Sequence, residues 1–206
     1  MNILILGGTG RVGSHMLKHA LDDGHQVTAL VRDAEKIQVE SINLTVVEGN
    51  VLNRSDILNA MNGIDMVISA LGTDGTTTLS EGLPSVIEGM EERGLKRLIT
   101  IGTGGILNSR TEPGLLRYQS NESKRKTTRA AEEHHKVFNL LEDSQLDWTI
   151  VCPTYLPDGE YTGQYRAERD YLPEGGKMIS VPDTAEFAYS QIQDDRFIRS
   201  RVGLAY

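Results

Sequence analysis

Short continuous apolar runs alternate along the chain with segments whose apolar residues recur every three or four positions. The first pattern suits strands buried on both faces, and the second is typical of amphipathic helices. The predicted strands are 3–6, 27–31, 44–47, 66–70, 98–101, 148–151 and 202–206. The predicted helices lie over 12–21, 57–61, 83–90, 130–141 and 185–192. This alternation predicts right-handed βαβ units and a mainly parallel sheet.

Two long segments interrupt the alternation. Residues 102–121 and 155–182 contain many Gly and Pro residues and show little periodicity. Both follow predicted strands, so both leave the sheet at its carboxyl edge, where open α/β folds bind ligands. Connections this long tend to be lids or binding loops. Since no linker or repeat divides the chain, 1–206 is predicted to be one doubly wound α/β domain with helices on both faces and two substrate loops.

A glycine-rich turn joins the first strand to the first helix. Its sequence over 7–13 is Gly-Gly-Thr-Gly-Arg-Val-Gly, so that Gly7, Gly10 and Gly13 follow a GxxGxxG variant of the dinucleotide fingerprint. Glycine permits the tight turn, lets the backbone approach a pyrophosphate and lets the helix pack close to the sheet. The helix N-terminus adds unpaired N–H groups and partial positive charge. We therefore expect a dinucleotide on this turn, with Thr9, Arg11 and Val12 beside the glycines.

The end of the second strand distinguishes NAD from NADP. An Asp or Glu about 20 residues after the turn would accept hydrogen bonds from the ribose 2′-OH of NAD. This chain has Arg32 there, and the acid, Asp33, comes one residue later. A guanidinium pairs well with a 2′-phosphate, and Lys36 and Arg11 are close enough in sequence to add charge. The sequence predicts NADP(H) as the cofactor.

The charge balance argues against a nucleic-acid partner. The 206 residues include 21 Lys and Arg against 29 Asp and Glu, a formal net charge of −8. A duplex DNA binder normally carries the opposite sign, at least locally. The basic residues Lys124, Arg125, Lys126 and Arg129 are followed by acidic Glu132, a pattern typical of a solvated helix face.

Composition also argues against membrane insertion, secretion and metal binding. No stretch approaches the roughly 20 apolar residues that span a bilayer, and the start lacks the basic region of a signal peptide. The single Cys152 excludes an internal disulfide, and the five His residues show no arrangement with a third metal ligand. We expect a cytoplasmic monomer or homodimer without metal.

A family pattern extends over nearly the whole chain. It comprises residues 7–13, 30–33, 49–51, 70–73 and 146–153. These stretches resemble the NmrA-like group of atypical short-chain dehydrogenase/reductases. Within that group, Leu71-Gly72-Thr73, and Asp158 followed by Thr-Gly-Gln-Tyr over 162–165, resemble the flavin reductase subgroup that includes biliverdin-IXβ reductase.

The resemblance implies which residues contact each end of the cofactor. Those at the adenine, ribose and pyrophosphate would be Asn50, Val51, Leu71, Gly72 and Thr73. Those at the nicotinamide would be Thr103, Pro153, Thr154 and Tyr155. Two departures concern the substrate: Tyr155 stands where the flavin reductases have His, and Gly104-Gly105 replaces bulkier residues.

The usual proton donor of short-chain dehydrogenases is missing. These enzymes use Tyr-x-x-x-Lys, in which Lys lowers the phenol pKa so that Tyr can protonate a carbonyl oxygen. Tyr118 is followed at this spacing by Glu122, and Tyr161, Tyr165 and Tyr171 also lack the Lys. This absence argues against a sugar epimerase or an ordinary ketoreductase.

Hydride transfer without that pair requires an acceptor that delocalises charge itself, such as a flavin, a quinone or a conjugated tetrapyrrole. We therefore expect an NADPH-dependent reductase of a planar acceptor. Thr103 is the candidate hydrogen-bond partner of the nicotinamide or substrate, and Tyr155 is the candidate proton donor. Tyrosines 155, 161, 165 and 171 either form a stacking surface for the acceptor or cover the core.

Two alternatives stay open at this point. One is a non-catalytic NADP(H)-binding sensor of the NmrA-like type, which presents a partner surface when the cofactor changes. The other is an isomerase or reductase that acts on a small metabolite through Tyr155. His134, in an apolar helical stripe, and Cys152, after a buried strand, suit packing better than catalysis.

Overall fold

A computed structural model describes residues 1–73, 75–123 and 127–206. Within these ranges, the strands are β1 Asn2–Leu6, β2 Gln26–Val31, β3 Leu44–Glu48, β4 Met66–Ser69, β5 Arg97–Ile101, β6 Asp147–Pro153, β7 Arg166–Arg169 and β8 Ser200–Ala205. The helices are α1 Arg11–Asp22, α2 Arg54–Ala60, α3 Thr78–Glu92, α4 Arg129–Asp143 and α5 Val181–Ser190. Every strand and helix expected from the apolar pattern forms. The basic residues Lys124, Arg125 and Lys126 lie outside the described part of the chain.

The described strands form one sheet in the order β3-β2-β1-β4-β5-β6-β8-β7. Neighbours pair in parallel except β7, which runs antiparallel to β8. The chain progresses outward in one direction from β1 to β3 and then returns to β4 on the other side of β1. Leu6 at the end of β1 is therefore in register with Leu30 of β2 and with Ser69 of β4. A reversal of this kind opens a crevice at the carboxyl ends of the strands.

The helices cover both faces of the sheet. Successive residues of β1 point to opposite faces, so Leu4 packs in one apolar cluster and Ile3 in the other. The Leu4 cluster receives α2, α3 and α4, through residues such as Leu83 and Val137. The Ile3 cluster receives α1 and α5, through residues such as Met16. This is the doubly wound α/β domain that the sequence predicts.

The segment 155–182 contains a strand that the apolar pattern does not predict. β7 reads Arg-Ala-Glu-Arg, and its side chains are mostly exposed. It forms because its backbone pairs with the fully buried β8, and charged residues are common on an edge strand. Among the described residues, we find no helix long and apolar enough to cross a membrane.

Candidate functional site

The glycine turn has a geometry that side chains would prevent at two positions. Gly7 has φ +76°, and a Cβ there would lie 2.6 Å from the carbonyl oxygen of Ala70. A Cβ on Gly13 would lie 2.1 Å from the carbonyl oxygen of Gly7. Between them, the N–H of Gly10 donates to that same Gly7 oxygen at 3.0 Å. The first and third glycines of the fingerprint are therefore needed for close contact between turn, helix and β4.

The first turn of α1 presents donors at the crevice. Gly10 is the N-cap residue and has no side chain with which to cap the helix. The first turn of α1 contains no acidic residue. Thr9, Gly10 and Arg11 are exposed, whereas Val12 and Gly13 are buried. An uncapped helix start of this kind suits an anion such as a phosphate.

A cavity of about 260 Å³ lies at the carboxyl ends of β1, β2 and β4. We call it the β1–β4 cavity. Its lining residues are Leu6, Gly7, Thr9, Gly10, Leu30, Val31, Arg32, Gly49, Val51, Ala70, Leu71, Gly72 and Thr78. The fold thus brings together seven residues predicted to bind the cofactor: Gly7, Thr9, Gly10, Arg32, Val51, Leu71 and Gly72.

Asp33, just after β2, has a backbone donor and a lysine beside its carboxylate. Its carboxylate accepts from the N–H of Glu35 at 3.1 Å and lies 3.3 Å from Nζ of Lys36. Lys36 is outside the described cavity lining, whereas Arg32 belongs to it. Arg32, directly after β2, is therefore the charged residue among the described residues that line this cavity.

Two other predicted cofactor residues flank the cavity. Asn50 Oδ1 accepts from the N–H of Leu52 at 3.0 Å, so this side chain is turned into its own loop. The carbonyl of Thr73 accepts from the N–H of Thr76 at 2.7 Å, which holds the turn before α3. Neither residue is among the described lining residues, unlike the neighbouring Val51 and Gly72.

A second cavity, of about 170 Å³, lies at the carboxyl ends of β5 and β6. We call it the β5–β6 cavity. Its lining residues are Thr103, Gly104, Gly105, Arg117, Tyr118, Glu122, Ser123, Thr127, Thr128, Ala130, Ala131, Pro153 and Thr154. Thr103, Pro153 and Thr154 were predicted for the nicotinamide end, and the fold places them together. Arg117 and Tyr118 were not predicted as site residues, because they lie in a segment without periodicity.

Glycine shapes one wall of the β5–β6 cavity. A Cβ on Gly105 would lie 3.0 Å from Ala131 Cβ, and one on Gly104 would lie 3.2 Å from the Pro153 carbonyl oxygen. Backbone rather than side chain therefore forms this part of the lining. Thr103 Oγ1 accepts from the N–H of Gly105 at 3.4 Å, which fixes the turn after β5.

A paired carboxylate closes the same cavity from the loop before α4. Glu122 accepts from Ser109 Oγ at 2.7 Å, from the N–H of Thr111 at 2.9 Å and from Arg117 Nε at 3.1 Å. Burial opposes ionisation of Glu122, but these hydrogen bonds and one from the N–H of Arg110 outweigh it and lower its pKa to about 2. Glu122 is thus an anchored anion and a poor proton donor.

The loop after β6 is fixed at two points. Arg11 donates to Asp158 Oδ1 at 3.0 Å and to the Leu156 carbonyl at 2.8 Å. Further along, the buried Asp183 accepts from the N–H of Thr162 and from the N–H of Gly163, both at 2.9 Å. The sequence did not single out Asp183, since an acid at a helix start is ordinarily an exposed cap residue.

The four loop tyrosines lie in different surroundings. Tyr155 and Tyr161 are each 61% exposed. Tyr165 packs edge-on against Phe187, and Tyr171 lies under the Arg110 guanidinium, 4.8 Å from it. None of the four is among the described residues that line the β5–β6 cavity. Tyr165 therefore covers the core, which is one of the two roles that the sequence predicts for these tyrosines; the other is a stacking surface for the acceptor.

Burial shifts the pKa values of His134 and Cys152, the two titratable groups that the sequence predicts to pack rather than to react. Burial lowers the pKa of His134 to about 4, so the imidazole is neutral at physiological pH. Burial likewise raises the pKa of the Cys152 thiol to about 12. The described residues include no cluster of three or more potential metal ligands.

The fold, the glycine turn and the two cavities define a Rossmann-type dinucleotide-binding domain. The profile of the NAD(P)H-binding family matches residues 7–195, and the chain belongs to that family. The family match supports a nicotinamide cofactor, and the resemblance to NmrA-like atypical short-chain dehydrogenase/reductases fits this family.

Similar proteins include one curated relative that matches along its length. This is YwnB of Bacillus subtilis, an uncharacterised protein that is 26% identical over 199 residues, covering 94% of this chain and 92% of YwnB. A Bacteroides thetaiotaomicron structure assigned as an epimerase is 28% identical, with TM-score 0.84 and coverage of 100% of this chain and 96% of the other. A Streptococcus pneumoniae structure assigned as an NADH-flavin reductase is 25% identical, with TM-score 0.81 and coverage of 100% and 99%.

Proposed function

We propose that this chain is an NADPH-dependent reductase that transfers hydride to a planar conjugated acceptor: a flavin, a quinone or a biliverdin-like tetrapyrrole. The observation that carries the proposal is the pair of cavities along one sheet edge. The β1–β4 cavity adjoins the glycine turn and is lined in part by Arg32. The β5–β6 cavity lies past the adjacent strands and contains Thr103 and Pro153.

The residues of the first cavity fit NADPH. The absence of a Cβ at Gly7 and Gly13 forms the close turn in which a pyrophosphate would meet the backbone. Asp33, the acid that could have bound a ribose 2′-OH, lies 3.3 Å from Nζ of Lys36. A 2′-phosphate would instead meet Arg32, whose planar guanidinium suits bidentate pairing.

The second cavity favours an acceptor that stabilises its own charge. NADPH supplies a hydride when bound, so the protein must bring the acceptor close and in the correct orientation. Thr103, Pro153 and Thr154 would do so from the ends of β5 and β6, with Tyr155 next to them. Tyr118 and the tyrosines at 161, 165 and 171 all lack the Lys of the Tyr-x-x-x-Lys pair that epimerases and ketoreductases use. The similar structure assigned as a flavin reductase is therefore the closer functional analogy.

The proposal includes a cytoplasmic location, a monomer or homodimer, and neither nucleic acid nor membrane as partner. The net charge of −8 supports the exclusion of nucleic acid.

The experiment that tests the function is NADPH oxidation by the purified protein. FMN, riboflavin, a quinone and biliverdin are each offered as acceptor, while fluorescence titrations compare the binding of NADPH and NADH. Turnover with any acceptor supports a reductase, and tighter binding of NADPH supports the assignment of Arg32. Tight binding without turnover would favour the sensor. Absence of binding would contradict the proposal.

A further inference from the structure

A phenol and an imidazole meet at the wall of the β5–β6 cavity. Tyr118 lines the cavity, and its hydroxyl lies 2.9 Å from Nδ1 of His135. Gln119 Nε2 donates to the same phenol oxygen at 3.3 Å. His135 is outside the described lining, whereas its hydrogen-bond partner Tyr118 belongs to it.

We propose that Tyr118 is the proton donor to the reduced acceptor and that His135 restores its proton. The proposal rests on the reductase function stated above. Tyr118 is the catalytic residue, because it reaches the acceptor cavity. His135 acts through Tyr118 and is a positioning residue.

Tyr118 lies close to the predicted nicotinamide end of the site. The position that a Cβ of Gly105 would occupy is 3.5 Å from Tyr118 Cβ and 3.7 Å from Thr103 Cγ2. The two side chains therefore approach each other across a residue that has no side chain. An acceptor that enters the β5–β6 cavity beside Thr103 would share that cavity with Tyr118.

The surrounding rings hold the imidazole in place. His135 stacks with Phe138 at a centroid distance of 6.4 Å and an interplanar angle of 24°. Phe138 in turn meets Trp148 edge-on at 5.9 Å. Tyr118 meets His135 edge-on at 5.7 Å, with the phenol oxygen within hydrogen-bond distance of Nδ1. Both residues are half-buried, which limits competition from water.

The proton transfer balances in a simple way for a quinone. Hydride uptake leaves the quinone as an anion with its charge on oxygen. The Tyr118 O–H bond breaks as a new O–H bond forms on that oxygen, which gives the hydroquinone. In the tautomer with its proton on Nδ1, His135 donates to the phenol oxygen, and the phenolate takes this proton while Nε2 takes one from water. Bulk solvent neutralises the hydroxide left behind, and proton exchange with water returns His135 from the Nε2–H to the Nδ1–H tautomer.

Tyr155 is the rival donor, and the geometry favours Tyr118. Tyr155 is 61% exposed and lies outside the described lining of the cavity. Tyr118 lines the cavity, is half-buried and has a hydrogen-bond partner that can carry a proton.

The decisive experiment compares two acceptors in the Tyr118→Phe variant. A quinone needs a proton after hydride uptake, whereas an N-methylphenazinium cation becomes neutral and needs none. We expect quinone turnover to fall about 100-fold or more, with N-methylphenazinium reduction and NADPH binding unchanged. The matched control is Tyr189→Phe, which removes a phenol that donates to Asp23 at 2.6 Å, in the α1–α5 layer. It should reduce both acceptors like the wild type.

His135→Asn separates proton supply from positioning. Its amide retains a hydrogen-bonding group near the phenol but carries no exchangeable imidazole proton. We expect slower quinone turnover with a larger solvent isotope effect, again without loss of phenazinium reduction. As a readout independent of turnover, riboflavin added without NADPH should shift the ¹⁵N resonance of His135 Nδ1 in the wild type and not in Tyr118→Phe.

Each contrary outcome has a defined meaning. Full quinone turnover in Tyr118→Phe would overturn the assignment, and so would an equal loss with both acceptors, which marks a structural role. A wild-type protein that reduces neither acceptor would contradict the reductase function itself, and the assignment with it.

Discussion

Arg11 Nη1 lies 3.0 Å from Asp158 Oδ1, so an ion pair joins the glycine turn to the loop after β6. The two side chains are 56% and 83% exposed. An ion pair this exposed contributes between zero and about 1 kcal/mol. The loop and the turn are therefore held together by a contact that a bound phosphate can replace at little cost.

We predict that Asp158→Asn strengthens NADPH binding, because it removes a carboxylate that competes with phosphate for Arg11. The gain should be severalfold at low ionic strength and should shrink as salt is added. Fluorescence titration at two salt concentrations measures it. Glu160→Gln, an exposed neighbour in the same loop, is the matched control. An unchanged NADPH affinity in Asp158→Asn would show that Arg11 does not contact the phosphates.

Gly13→Ala should damage both stability and cofactor binding. Its Cβ would lie 2.1 Å from the Gly7 carbonyl oxygen, so backbone must move. We expect a loss of about 2 kcal/mol or more in the free energy of unfolding and much weaker NADPH binding. Gly8→Ala is the control, since its nearest contact would be an ordinary 3.5 Å to Ile5 Cγ2. Denaturant unfolding and titration compare the two, and equal behaviour would contradict the prediction.

Arg32→Ala should abolish the preference for NADPH over NADH. Losing a charge-assisted pair with the 2′-phosphate weakens NADPH binding by about 10- to 100-fold. NADH binding should be unaffected, because NADH carries no 2′-phosphate. Lys18→Ala removes the same charge from the exposed face of α1 and should leave both affinities unchanged. A parallel loss of both affinities in Arg32→Ala would assign it a structural role instead.

Asp183 should make the loop after β6 sensitive to acid. Burial opposes ionisation, but hydrogen bonds from Tyr206, Thr162 and Gly163 outweigh it and hold its pKa below the ordinary value of 3.8. A lowered pKa contributes stability that is complete above the unfolded value and is lost as pH falls through the folded value. Asp183→Asn should therefore lose about 2 kcal/mol at neutral pH and show a weaker pH dependence below pH 4.

Thermal unfolding from pH 3 to pH 7 measures this effect, and limited proteolysis reports whether residues 159–165 detach. Asp143→Asn, at the exposed end of α4, serves as the control. Identical pH profiles for Asp183→Asn and wild type would contradict the prediction.

Cys152 should be unreactive in the folded protein. Its side chain is fully buried, and burial raises the pKa of its thiol to about 12. Since the thiolate is the reactive form, Ellman's reagent should label the native protein negligibly at pH 8 and completely in guanidinium. Rapid labelling of the native state would mean that the end of β6 opens to solvent.

Local signals in the sequence were sufficient for the fold and for the glycine turn after β1. The glycine spacing over 7–13 and the apolar runs act through neighbours in the chain, so periodicity identifies them. The charged β7 escaped prediction because it depends on its pairing with β8, which no pattern within Arg166–Arg169 reports.

The second half of the site depends on tertiary contacts. Tyr118 and His135 are separated by 17 positions, and their hydrogen bond forms only when α4 packs beside the loop after β5. Asp183 is likewise defined by donors about 20 residues earlier, at Thr162 and Gly163. Such pairs are not visible as local spacing, and the sequence predicts only that Tyr118 lies in the substrate loop over 102–121.

Both cavities lie at the carboxyl ends of the strands. The opposite edge of the sheet, at the amino ends of the strands, is therefore available for modification. The turns over 22–26, 61–65 and 93–96 lead back into β2, β4 and β5 at that edge, and they contribute none of the described lining residues. They are suitable places to attach a fluorophore, fuse a reporter or tether the protein to a surface. A label placed there would stand a full strand length away from both cavities and would leave their lining residues unchanged.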